Sequence, residues 1–130
     1  MPTIVVDASA AVELLLRTPA GDRVAEALAA PPVAAPAHVD GEVLSALGRL
    51  VRAGEVAADA VPPMLDALAR APLVRYPLPP LLAPAWGLRA NLTLRDALYV
   101  ALARRLGATL LTADSRLARA PRLGCPLLVV

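Results

Sequence analysis

Five short apolar runs punctuate the chain, at residues 3–6, 33–35, 73–76, 109–112 and 127–129. Each is rich in strand-forming residues, and each is too short for a helix. They are apolar almost throughout rather than alternating. A strand of that kind is buried on both faces, which implies a parallel sheet covered by helices on either side. Most of the gaps between the runs are long enough for one or two helices, so the expected fold class is α/β. With 130 residues, one compact domain over residues 1–130 is expected.

Local signals place the helices. Ser9 is expected to cap a first helix that runs to residue 16. Thr18-Pro19 opens a second near residues 20–30, closed by Pro31-Pro32. A long helix over residues 39–53 carries the stripe Val39, Val43, Leu47, Leu50 and Val51, and stops at Gly54. The next is forced by Pro62 and Pro63 to start near residue 60. Residues 77–84 are proline-rich and read as a loop, followed by a short helix over 81–90 broken at Pro84. Thr93 begins a strong helix over 94–106, ended by Gly107. Residues 115–119 form a single turn.

Against this frame the acids fall in a pattern. Asp7 ends the first strand. Asp114 follows the fourth strand with one residue between. Glu42 and Asp96 lie in the early turns of two helices. In parallel α/β sheets, ligands bind outside the carboxyl ends of the strands. Each acid also has a local explanation. Asp7 and Asp114 are placed to receive backbone N–H groups, Glu42 complements a helix dipole, and Thr93-x-x-Asp96 matches a capping box. Jointly, four converging carboxylates repel one another unless a divalent cation neutralises them. Mg²⁺ suits such a set, because a hard cation takes carboxylate oxygens and Mg²⁺ needs only one or two of them plus waters. The hydroxyls of Ser9 and Thr112 stand beside two of the acids and are candidates for orienting them. Asp40 is expected to be a solvated first-turn acid, and His38 an exposed residue at a helix start.

Composition removes several alternatives. All thirteen basic residues are arginine, so phosphate-binding loops and Schiff-base chemistry that need lysine are excluded. One cysteine, Cys125, allows no intrachain disulfide and no cysteine metal site. No apolar run approaches the ~20 residues of a membrane helix, and no signal peptide is evident, so a cytoplasmic location without membrane attachment is expected. The net charge of +2 is compatible with a nucleic-acid partner.

Three blocks, "IVVDASAAVELLL", "PAHVDGEVLSALGRLVRAGEV" and "LTLRDALYVALARRLGATLLTADSRLA", resemble in order and spacing those of PIN-domain nucleases. The short length resembles the VapC-type toxins of bacterial toxin–antitoxin pairs. The likeness runs from Thr3 to about Ala118 and is weakest over residues 57–92. It implies a three-layer α/β/α sandwich with a small central parallel sheet. It also implies endoribonuclease activity with Mg²⁺ or Mn²⁺ on structured RNA such as tRNA or ribosomal RNA, and a small antitoxin whose tail covers the acidic cleft. By the same resemblance Asp7, Glu42, Asp96 and Asp114 occupy the family's catalytic and metal-binding positions, and Ser9 and Thr112 its hydroxyl positions. Many relatives carry a further acid just after the position of Asp114, where this chain has Ser115 and Arg116.

The chemistry implied is hydrolysis of a phosphodiester by a metal-activated water, with Asp7 and Asp96 as the main ligands. Arg17, Arg89, Arg95 and Arg116 flank the acidic blocks and are candidate phosphate contacts. Aromatics are only 2% of the chain, which disfavours a stacking platform for single strands and favours recognition of RNA by shape. Two other readings stay open: a catalytically inactive PIN-like binding domain, and a phospho-aspartyl hydrolase built on Asp7. A DNA flap nuclease is weaker still, because the chain leaves no room for extra helices. A homodimer is expected from the high apolar fraction, with residues 24–28 and 47–51 as candidate surfaces for it or for an antitoxin helix.

Overall fold

The computed structural model describes residues 3–30, 32–121 and 123–130. Five strands form one parallel sheet: β1 (Ile4–Val6), β2 (Val33–Pro36), β3 (Leu73–Tyr76), β4 (Thr109–Thr112) and β5 (Leu127–Val129), in the order β3-β2-β1-β4-β5. Six helices cover it: α1 (Ala8–Leu16), α2 (Pro19–Ala27), α3 (Val39–Arg52), α4 (Val61–Arg70), α5 (Pro79–Trp86) and α6 (Leu94–Leu106). The chain steps β1, β2, β3 towards one edge and then returns to build β4 and β5 on the other. Right-handed crossovers therefore send α1 to α4 to one face, where they pack on one another, and α5 with α6 to the opposite face. The result is the three-layer sandwich. It also creates a switch point between β1 and β4, where a crevice opens at the carboxyl ends of the strands.

The core is aliphatic. Val5, Leu110 and Leu111 from the sheet, Val39, Val43 and Leu47 from α3, and Val100 and Leu102 from α6 are fully buried. Gly107, in the left-handed region at φ 60°, turns α6 into β4. Gly21 allows α2 to lie on α1, because a Cβ there would stand 2.1 Å from the Glu13 carbonyl oxygen.

Several expectations need correction. Asp7, not Ser9, caps α1: its carboxylate accepts the Ala10 N–H at 2.9 Å. The second helix ends at Ala27, before the proline pair, and Pro31 lies outside the described residues. The proline-rich stretch is helical from Pro79. Two prolines fit the first turn, whose N–H groups have no intrahelical partner, and α5 continues past Pro84 to Trp86. In the proposed docking surfaces at 24–28 and 47–51, Val24 and Leu47 point into the core, while the residues around them are exposed or half-buried. The large apolar residues that do reach the surface include Leu44, Val74, Leu82 and Trp86.

Candidate active site at the carboxyl edge of the sheet

The β1–β4 pairing sets Val6 beside Leu111, and the Asp7 N–H continues the ladder to the Leu111 carbonyl at 3.1 Å. Asp7 therefore leaves the sheet level with Thr112. Its carboxyl is buried, where Oδ1 takes the Ser9 hydroxyl at 2.6 Å and the Ala10 N–H. Ser9 Oγ in turn accepts the Ala113 N–H at 3.0 Å and lies 3.2 Å from Thr112 Oγ1. One hydroxyl thus ties β4 to the start of α1. Thr112 Oγ1 also accepts the Asp114 N–H, which fixes the turn that carries Asp114.

Burial raises the Asp7 pKa above the ordinary carboxylate range. Hydrogen bonds from Ser9, Thr112 and Ala10 oppose that rise, and the negative charge of Asp96 adds to it. No cation of the chain pairs with Asp7 among the described residues.

A cleft of about 650 Å³ opens at this edge, and Asp7, Glu42, Asp96 and Asp114 all line it, together with Ser9. Thr112 sits beneath, fully buried. Asp96 is in the first turn of α6. Its N–H is capped by Thr93 Oγ1 at 3.2 Å, but its carboxylate makes no hydrogen bond or ion pair among the described residues. Only half of the expected capping box is formed. Asp114 caps the 3-10 turn after β4 through the Arg116 N–H. Its two oxygens are also gripped by the Arg116 guanidinium at 2.7 to 3.1 Å. That guanidinium holds the Asp114 carboxyl below the usual range. Glu42 Oε1 accepts the Tyr99 hydroxyl at 2.6 Å. Burial and the adjoining Glu42 carboxylate keep the Tyr99 phenol protonated, its pKa far above normal.

The donor set fits an open, hydrated cation rather than a closed cage. Among the described residues no three histidine, cysteine or acidic side chains stand close enough to enclose an ion. Mg²⁺ and Mn²⁺ need less: one or two carboxylates, with water completing the octahedron. Asp7 and Asp96, two cleft carboxylates without a cationic partner among the described residues, could meet that need.

Other candidates fall differently. Arg95 and Arg116 line the cleft. Arg17 instead borders a separate apolar groove, and Arg89 lies over the Trp86 ring and donates to the Trp86 carbonyl. Asp40 is not merely solvated. It binds Arg75 through both oxygens, at 2.7 and 3.0 Å, and ties α3 to β3. His38 is not exposed either. Its Nε2 lies 3.3 Å from the Arg95 carbonyl oxygen and 3.4 Å from Glu42 Oε1, and its ring meets that of Tyr99.

Tyr99 and Arg49 also line the cleft and were not among the sequence candidates. Helical spacing is the signal that finds them. Tyr99 is three residues after Asp96, and Arg49 is seven after Glu42, so each pair shares a helix face.

The PIN domain family model matches residues 4–123. Ribonuclease VapC3 of Mycobacterium tuberculosis is 52% identical over 120 residues, covering 90% of this chain and 86% of that protein. Ribonuclease VapC12 of the same organism is 44% identical over 116 residues, covering 89% and 90%. Among solved structures, VapBC2 from Rickettsia felis, bound to a DNA fragment from their promoter, aligns over 98% of both chains. Its TM-score is 0.69 at 15% identity, a likeness of fold alone.

Proposed function

Because the chain belongs to the PIN-domain family, and specifically resembles its VapC ribonucleases over nearly its whole length, we propose that it is a toxin endoribonuclease dependent on Mg²⁺ or Mn²⁺. The observation that carries the reading is the shared cleft. Six carboxylates line one opening at the sheet's switch point, among them Asp7, Glu42, Asp96 and Asp114 from separate segments, and Asp7, the most buried of those four, has no cation to pair with among the described residues. Stability alone does not favour that arrangement.

In this reading Asp7 and Asp96 hold the cation, with Glu42 and Asp114 supporting it through water. The bound ion supplies charge neutralisation at the scissile phosphate and a more acidic water. The chain's own residues do the rest. Ser9 and Thr112 hold Asp7 in a fixed orientation, and Arg95 and Arg116 offer guanidinium groups to flanking phosphates. Arg49 extends that basic rim. With one histidine in the sequence, no histidine pair is available to move the proton of a ribose 2′-hydroxyl. The products are therefore a 5′-phosphate and a 3′-hydroxyl. The substrate is a folded RNA, gripped by its backbone.

The partner is a small antitoxin. What supports this is an apolar groove lined by Leu14, Leu15, Leu28, Met64 and Leu68, which meets the acidic cleft at Leu16. A helix seated in the groove would lead its following residues over the carboxylates.

Incubation of the purified chain with total RNA, followed by mapping of 5′ ends, tests the enzyme reading. Cleavage is expected with Mn²⁺ or Mg²⁺ and is expected to cease with EDTA or with Asp7→Asn. Undiminished cleavage in EDTA would refute the metal role. No cleavage with any divalent cation would favour a non-catalytic binding domain.

A further inference from the structure

Glu42 is held unevenly for a carboxylate on the wall of an open cleft. Oε1 receives the Tyr99 hydroxyl at 2.6 Å and has His38 Nε2 at 3.4 Å. Oε2 has neither, and lies 3.6 Å from Nη1 of Arg95, a largely exposed side chain. Tyr99 is almost wholly buried on α6, and its ring is braced by His38 at a centroid separation of 4.7 Å. The phenol is therefore a fixed donor to Glu42 Oε1. The bond joins α6 to α3 across 57 residues of sequence.

We propose that Tyr99 is a positioning residue of the cation site. By occupying Oε1 it makes Glu42 offer one oxygen, Oε2, to the ion or its waters. This rests on the nuclease reading of the cleft. The consequence is selectivity. Ca²⁺ readily accepts both oxygens of one carboxylate in a loose shell of six to eight ligands. Mg²⁺ and Mn²⁺ prefer single oxygens in an octahedron that keeps its waters. A glutamate with one oxygen engaged favours the second kind of ion. Freed from Tyr99, the same glutamate can rotate and chelate the first kind.

Tyr99→Phe deletes the hydroxyl and keeps the ring. Calorimetric titration of the metal-stripped chain with Mn²⁺ and separately with Ca²⁺ gives the readout, with thermal unfolding as a check on the fold. The Mn²⁺ Kd should rise by about 10-fold or more, the typical effect of removing a group that orients a ligand. The Ca²⁺ Kd should change much less or fall, which narrows the preference. In a Glu42→Ala background, Tyr99→Phe should alter neither. Glu42→Asp, which withdraws the carboxylate from the phenol, tests the same bond from the other side and should also narrow the preference. An equal loss for both ions, or a full additional loss on top of Glu42→Ala, would mean that Tyr99 only supports the fold and would overturn the proposal. If Glu42→Ala weakens Mn²⁺ binding and Tyr99→Phe does not, the positioning role fails and the nuclease reading stands. If Asp7→Asn and Glu42→Ala both bind Mn²⁺ like the wild type, the cleft is not the cation site and both readings fall.

Discussion

Asp7→Asn should make the metal-free protein more stable while abolishing cleavage. The carboxylate is buried, faces the charge of Asp96 and has no cationic partner among the described residues. Burying an ion costs several kcal/mol even after relaxation, and asparagine removes that cost. Little is lost in exchange. Asparagine caps a helix about as well as aspartate, so the Ala10 N–H keeps an acceptor. The Ser9 bond loses its charge assistance, worth about 1 kcal/mol. The balance is a gain on the order of 1–2 kcal/mol. For a chain of this size that is roughly 3–8 °C in thermal midpoint. The pH dependence fixes the cause. The folded-state pKa of Asp7 is raised, so its contribution to stability is fully present below the ordinary value of 3.8 and is lost as pH rises through the folded-state pKa. The advantage of the asparagine variant should therefore be large at pH 7 and vanish near pH 3. Mn²⁺ should reverse the order by stabilising the wild type alone. Calorimetric melts of both proteins at pH 3 and 7, with and without Mn²⁺, provide the test. A variant melting at or below the wild type at pH 7 without metal would refute the reasoning, as would an advantage that persists undiminished at pH 3.

Other expectations follow from particular contacts. Asp96→Asn should lower single-turnover cleavage by at least about 100-fold without shifting the melting curve much, because its carboxylate makes no contact that holds the fold. Gly21→Ala should destabilise the chain by roughly 1–3 kcal/mol, read by urea unfolding, because the new methyl group collides with the α1 backbone at Glu13. Asp40→Ala should cost about 1 kcal/mol and leave the cleavage rate intact. Its pair with Arg75 is partly exposed and solvent screens it, and Arg75 keeps the Leu68 and Leu73 carbonyls. Leu47→Ala empties a fully buried site and should cost about 2–5 kcal/mol by the same urea assay.

The strands were legible because each is a short, almost continuously apolar run; the central β1, β2 and β4 are covered on both faces, whereas Val74 of β3 and Leu128 and Val129 of β5 stay exposed at the sheet edges. Residues 73–76, 109–112 and 127–129 are strands at the expected limits. The four acids could be read as a group because Asp7 and Asp114 stand just beyond strand ends and Glu42 and Asp96 stand in the first turns of helices that start at the same edge of the sheet. The Asp7 cap and the Asp114 turn are likewise local, involving neighbours two or three residues away.

What the sequence could not convey were the partners chosen across distance. Glu42 meets Tyr99, Asp40 meets Arg75 and His38 turns inward because the start of α3 reaches the carboxyl edge of the sheet, where β3 ends and α6 begins. The crossover from β2 to β3 brings Arg75 to Asp40 and the one from β3 to β4 brings Tyr99 to Glu42, and no local spacing encodes either. The helix on Pro79 and Pro80 escaped for a related reason. Prolines disfavour a helix only where an N–H is needed, and in α5 the packing against α6 compensates for the bond lost at Pro84. The sequence by itself determined which residues form strands and where the acids stand along the chain. Only the tertiary structure decided which acids keep their charge unpaired, because that depends on the neighbours folding brings within hydrogen-bond reach.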